Sequence, residues 1–284
     1  MPTDTILRSL TPPATERRTQ TASPLSCVVW TTANVKMFAQ LTVVLIVALA
    51  LKYHYSTTSV NGLKWILAPT AFLVELVSGI KFSFESHAGY MSADNTFLIA
   101  ASCSGVNFLI ISFLMLALGE IWRKRDENIG WSFIPISIIA ACLTTIVANT
   151  IRIDLALRTR QMGLGSGWLN PEEIHRLEGI VVYFGFLLLL FVVVERVRGK
   201  TNSARILRRL SLPLSIYYVT TLGIPIVLGA YRESAFWEHS IFVLATPLAL
   251  SLPLIVYHAI KHLVRRSEEE KRSRRPIPSS QPLH

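Results

Sequence analysis

Apolar positions along the 284-residue chain fall in long uninterrupted blocks, not in the alternation of a half-buried element. Leu41–Leu51, Phe108–Leu118, Ile134–Val147, Ile180–Val194 and Ile241–Ile260 are nearly free of charge. Extended by weakly polar neighbours, each approaches the roughly 20 residues that a helix needs to cross a bilayer. The pattern predicts six spans: Met37–Leu51, Thr96–Gly119, Trp131–Ile151, Glu172–Val194, Leu210–Ala230 and Phe236–Lys261. The fourth has a full start signal, with Asn170 as N-cap, Pro171 at the first helical position, then Glu172 and Glu173. Pro213, Pro225, Pro247 and Pro253 predict kinks in the last pair, which membrane bundles tolerate. Leu63–Ile80 carries Lys64, Pro69 and Glu75 and reads as an interfacial or partly inserted helix. Lys81–Ala93 alternates like a short hairpin with its turn near Gly89. The expected fold is an all-α polytopic membrane protein with about six to seven transmembrane helices and an interfacial segment on the outer face.

Composition agrees with this reading: mean hydropathy is +0.44 and only 16% of residues are charged, against about a quarter in a soluble domain. Four regions follow: a polar tail at 1–36, a membrane core at 37–197, a further helical pair at 198–262 and a basic tail at 263–284. The net charge of +10 raises the question of nucleic acid. The basic residues, however, cluster at the ends of apolar blocks without interleaved aromatics, so membrane topology accounts for them and no nucleic-acid partner is expected. Most of the 28 Lys and Arg residues fall on one side: the N-terminal tail, Arg123–Arg125, Arg196–Arg209 and Lys261–Arg275. That side is expected to be cytoplasmic, which places the connections between the first and second spans and between the third and fourth spans outside.

Three short segments then converge on the outer face: Ala101–Asn107, Ala148–Arg152 and Glu173–Gly179. Cys103 lies near the start of the second span, Arg152 at the end of the third, and His175 in the first turn of the fourth. Each suits acyl transfer. A thiolate at Cys103 attacks a carbonyl, and a helix N-terminus with a nearby cation favours the thiolate. His175 takes and returns the proton. Arg152 offers a permanent charge and a donor fork to an oxyanion or a substrate carboxylate. Gly105 permits close backbone approach, Asn149 shares a helical face with Arg152, and Gly179 leaves space beneath the imidazole. Glu172 and Glu178, each three residues from His175, are candidates to orient its ring. Taken singly, each residue has a plain structural explanation: a small buried hydrophobe, a snorkelling anchor, an interfacial histidine. Their shared depth on one face is what points to catalysis. Cys27 and Cys142 complete neither a disulfide framework nor a metal-ligand spacing, and no CxxC, HExxH, Walker or GxGxxG pattern occurs, so neither metal nor cofactor is expected.

The segments Cys103-Ser104-Gly105, Asn149-x-x-Arg152 and His175-x-x-x-Gly179 resemble the signature of the exosortase/archaeosortase family of membrane cysteine transpeptidases. The stretch from Leu67-Ala-Pro-Thr-Ala through Gly89-Tyr90 to Cys103-Ser-Gly-Val-Asn-Phe108 is most similar to the exosortase K subfamily. The likeness covers residues 40–197, and the last two spans and basic tail lie beyond it. It implies a bacterial inner-membrane enzyme, active site outward, with Cys103, Arg152 and His175 catalytic and Gly105, Asn149 and Gly179 supporting. Its substrates would be exported proteins ending in a motif, a transmembrane helix and a basic tail. They would be cleaved through a Cys103 thioester and passed to a lipid-linked or amine acceptor. A protease releasing product to water is a close variant. From other classes, a polytopic transporter using Arg152 and Glu75 and a non-enzymatic scaffold for envelope assembly remain as alternatives.

Overall fold

The computed structural model describes residues 24–124, 130–162, 171–197, 210–227 and 229–273. Helix α1 is Pro24–Thr57, and a 3-10 turn at Val60–Leu63 leads into α2, Lys64–Ser78. Strands β1 (Phe82–Glu85), β2 (Gly89–Ser92) and β3 (Leu98–Ile99) form an antiparallel sheet in that order. A second 3-10 turn, Ala101–Ser104, precedes α3, Val106–Arg123. Then come α4 (Phe133–Gln161), α5 (Pro171–Val197), α6 (Ser211–Tyr218), a π-turn at Val219–Gly223, α7 (Ile224–Val227) and α8 (Ser234–Ser273).

Six of these helical stretches, among the described residues, are long and apolar enough to cross a membrane: Asn34–Thr57, Val60–Ser78, Ala101–Arg123, Phe133–Gln161, Glu173–Val197 and Phe236–Ser267. The chain is a multi-pass, mostly all-α membrane protein. Large apolar side chains such as Phe38, Ile46 and Leu49 on α1 and Leu248, Leu252 and Ile260 on α8 point away from the bundle, as lipid-facing residues do. Helix α3 is central and packs against α1, α4, α5 and α6, while α2 packs on α4, and α5 on α8. Phe113, Leu109 and Val106 on α3 meet Phe184 and Leu187 on α5 in one buried cluster.

Several boundaries differ from those the hydropathy predicts, each for a physical reason. Helix α1 begins at Pro24, inside the segment expected as a polar tail, and runs six residues past Leu51. Hydropathy locates the apolar block, whereas a helix continues until its backbone is broken or capped. Likewise α4 does not stop at Ile151 but continues to Gln161, carried by an Asp154–Arg158 pair of 2.8 Å one turn apart. Conversely, the α-helix of the second span starts only at Val106, because Thr96–Ser104 is spent on β3 and a 3-10 turn. The span expected at Leu210–Ala230 is interrupted by the π-turn, directly before Pro225, whose ring nitrogen cannot donate to the helix ladder. Asn170, the expected N-cap of α5, lies outside the described residues.

The hairpin falls where the alternation predicts it, with Phe84 paired to Tyr90 and their rings edge-on at 5.1 Å. Glu75, the acidic residue that marked Leu63–Ile80 as unusual, caps this sheet: its Oε1 accepts the Phe82 N–H at 2.7 Å. Gly79, at φ +75°, makes the reversal between α2 and β1. At the far side of the sheet, Asp94 accepts from the hydroxyls of Ser92 (2.6 Å) and Thr96 (2.8 Å) and from the Thr96 N–H (3.2 Å). These bonds hold its carboxyl below the usual range, at about 2. The extension of α4 completes the frame, since Arg160 Nη1 donates to Thr96 O at 2.6 Å. Sheet and helix end together fix the strand that feeds the Cys103 turn.

Candidate active site

Cys103 sits half-buried in the 3-10 turn, its N–H bonded to Ala100 O at 2.9 Å. The turn cannot run straight into α3 because Gly105 adopts φ +72°, a conformation glycine enters at little cost. That reversal takes the Cys103 carbonyl out of the helix ladder, and the buried side chain of Asn149 on α4 supplies its partner through Nδ2. Space for this approach exists only because residue 105 has no side chain. A Cβ there would lie 3.0 Å from Thr145 Cγ2, 3.4 Å from Asn149 Cγ and 3.5 Å from the Tyr183 hydroxyl.

On α5, His175, Gly179 and Tyr183 recur every fourth residue and so share one helical face. Arg152 of α4 lies against that stripe. Its Nη2 is 3.1 Å from His175 Nε2, and its Nη1 donates to the Tyr183 hydroxyl at 3.3 Å. Its Nε is buried without a partner, facing the missing side chain of Gly179, where a Cβ would stand 3.2 Å away. The Tyr183 hydroxyl in turn donates to Asn149 Oδ1 at 2.9 Å, and its ring stacks on Phe108 with centroids 4.8 Å apart. A continuous chain of hydrogen bonds therefore runs from His175 through Arg152, Tyr183 and Asn149 to the carbonyl of Cys103.

Proton positions follow from one constraint: a guanidinium only donates. His175 Nε2 must therefore accept from Arg152, which leaves the imidazole neutral with its proton on Nδ1. That side of the ring faces Glu178, whose Oε2 is 3.9 Å away. Glu178 is itself held by the Thr159 hydroxyl at 2.5 Å. Nearby, Lys52 at the end of α1 reaches Asn107, one turn beyond Cys103, at 3.0 Å.

All six residues singled out in the sequence thus lie in one constellation, but three do so differently from expectation. Arg152 is not at a helix end; α4 continues nine residues beyond it. Asn149 does not hold the guanidinium directly but through Tyr183, because its own amide is committed to Cys103. Gly179 clears room for Arg152 instead of for the imidazole. Of the two glutamates considered, Glu178 lies beside His175, and the side chain of Glu172 is outside the described ones. Tyr183 was missed, although the spacing His175-x3-Gly179-x3-Tyr183 is visible in the sequence. Cys142 lies on α4 and takes no part. Among the described residues, no group of His, Cys, Asp and Glu is arranged to hold a metal ion. Comparison with known proteins finds no matching family model, no matching curated protein and no matching solved structure.

Proposed function

We propose that this protein is a membrane-embedded cysteine transpeptidase of the exosortase kind, acting on the C-terminal sorting signals of exported proteins. The observation that carries this reading is the hydrogen-bonded chain linking His175, Arg152 and the Cys103 turn, contributed by three separate segments. In the resting arrangement Arg152 occupies the lone pair of His175 Nε2. Binding of a substrate carbonyl oxygen at Nη2 would release that lone pair to take the Cys103 proton. The thiolate then forms an S–C bond to the carbonyl carbon, and the developing oxyanion rests on Arg152. Collapse breaks the peptide C–N bond, and the imidazolium returns its proton to the leaving amine. A thioester at Cys103 remains until an amine or lipid-linked acceptor attacks and gives its proton to His175; the C–S bond then breaks and the Cys103 thiolate takes that proton back.

The distribution of Lys and Arg supports an orientation with the site outward, and the exosortase resemblance implies a bacterial inner membrane. A substrate anchored by its own transmembrane helix would then present its scissile bond near the interface. The transporter alternative calls for a related pair of interrupted helices; the described residues contain a single π-turn interruption, at Val219–Gly223. The test is co-expression with exported proteins encoded beside it that end in a motif, an apolar helix and a basic tail. The wild type should shorten such a protein. Cys103→Ala should leave it full-length at equal membrane abundance, whereas Cys142→Ala should still process it. Shortening by Cys103→Ala would end the reading.

A further inference from the structure

Tyr183 belongs to none of the three motif segments, yet among the described residues its hydroxyl, with Asn149, links Arg152 to the Cys103 turn by hydrogen bonds. We infer that Tyr183 is a positioning residue, which uses this hydroxyl to hold the turn bearing Cys103 in register with the Arg152–His175 pair. This role rests on the acyl-transfer reading of Cys103.

The polarity of the network explains why a phenol is needed. Arg152 Nη1 can only donate, so the Tyr183 oxygen accepts and its own proton is free for one further bond. That proton goes to Asn149 Oδ1. Fixing the oxygen end of the amide turns the other end, Nδ2, toward the Cys103 carbonyl. With Arg152 as the source of direction, every bond from the guanidinium to the turn has one sense only. A phenylalanine at 183 would keep the stack on Phe108 but leave Asn149 free to flip, presenting its oxygen to the Cys103 carbonyl oxygen. The ring gives the hydroxyl a fixed position: it lies flat on Phe108 at 13° between planes, with the Arg152 guanidinium carbon 5.4 Å from its centre. Gly105 then lets the α3 start close onto this hydroxyl. Asn149 is fully buried, and hydrogen bonds in such surroundings reinforce one another.

The test uses the full chain in detergent micelles, with Cys27→Ser and Cys142→Ala so that Cys103 is the only thiol. The probe is p-nitrophenyl acetate. Acetyl transfer forms the S–C bond at Cys103, breaks the ester C–O bond and expels p-nitrophenolate, while His175 takes the thiol proton. Tyr183→Phe should acetylate about tenfold more slowly, the loss expected of one well-placed hydrogen bond. Asn149→Ala cuts the same chain nearer the turn and should lose a similar factor. The double variant should be no slower than either single one, since both break one path. Tyr218→Phe removes a comparable hydroxyl bond, to Leu244 O at 3.0 Å, away from the site, and should acetylate at the wild-type rate. Hydrogen exchange of the amides at 103–107 should quicken in Tyr183→Phe, and this readout does not depend on acylation. Wild-type acetylation by Tyr183→Phe, losses that multiply in the double variant, or unchanged exchange would each overturn the role of Tyr183. Acetylation of wild-type Cys103 no faster than in His175→Gln would instead overturn the acyl-transfer reading, leaving the exchange comparison to decide whether Tyr183 holds the turn.

Discussion

Replacing Gly105 by alanine separates two costs that a second glycine allows to be measured apart. Gly79 and Gly105 have nearly the same backbone angle, φ +75° and +72°, but a Cβ at 79 meets nothing within 4 Å. Forcing an L-residue into the left-handed region costs about 1–2 kcal/mol, and the stiffer unfolded chain returns about 0.4–1 kcal/mol of this. Gly79→Ala should therefore destabilise by about 1 kcal/mol. Gly105→Ala carries the same backbone cost and adds a contact of 3.0 Å with Thr145 Cγ2, backed by Asn149 and Tyr183. Thr145 and Asn149 are fully buried on α4, so relief requires moving α3 from α4, an overpacking cost of about 1–3 kcal/mol. The expected loss at Gly105 is about 2–4 kcal/mol. Unfolding by SDS titration in mixed micelles, followed by tryptophan fluorescence, gives both values against wild type. Equal losses at the two positions would refute the close approach of α3 to α4 through Gly105. No loss at either would refute the left-handed backbone itself.

Arg152→Lys keeps the charge but loses the fork that reaches His175 and Tyr183 together; if the guanidinium holds the oxyanion, acetylation should slow on the order of 10²–10³-fold, whereas a weaker apparent affinity with rate retained would make it a substrate anchor. His175→Gln should be slow at pH 7 and partly recover as pH rises and the thiol ionises unaided; a full rate at pH 7 would point to Glu178 as the base. Asp94 has its folded pKa depressed from 3.8 to about 2, so its contribution to the 92–97 turn is present above pH 3.8 and lost as pH falls through 2. Pepsin cleavage at that turn, normalised to Asp94→Asn, should therefore rise between pH 4 and 2, and a flat ratio would contradict it.

Much of this arrangement is legible in the sequence because lipid imposes a simple rule: apolar blocks of sufficient length become helices. The hairpin is legible because Phe82, Phe84 and their neighbours alternate with polar residues. What the blocks do not carry is where a helix passes beyond them. Thus α4 outruns its expected end at Ile151 by ten residues, using the Asp154–Arg158 pair and the Arg160 bond to Thr96. The 3-10 turn at Cys103 is equally silent, since Ala-Ser-Cys-Ser before a glycine suits a helix start as well as a turn. Tyr183 lies in an apolar block, where a tyrosine reads as an ordinary packed or interfacial aromatic. Its partners stand 31 and 34 positions away, a separation no local pattern encodes. Asn149 was placed on the correct face, but its partner depended on that same missing phenol.

The central claim is that Cys103 forms a thioester, and mass spectrometry of the protein trapped during turnover tests it most directly. The wild type would be co-expressed with a candidate substrate, quenched in acid during turnover, purified from membranes under acidic conditions and digested. A substrate-derived acyl group should be found on the peptide containing Cys103, released by neutral hydroxylamine and lacking in Cys103→Ala. An adduct at another residue, or none from a pair in which the wild type shortens the substrate, would contradict the account.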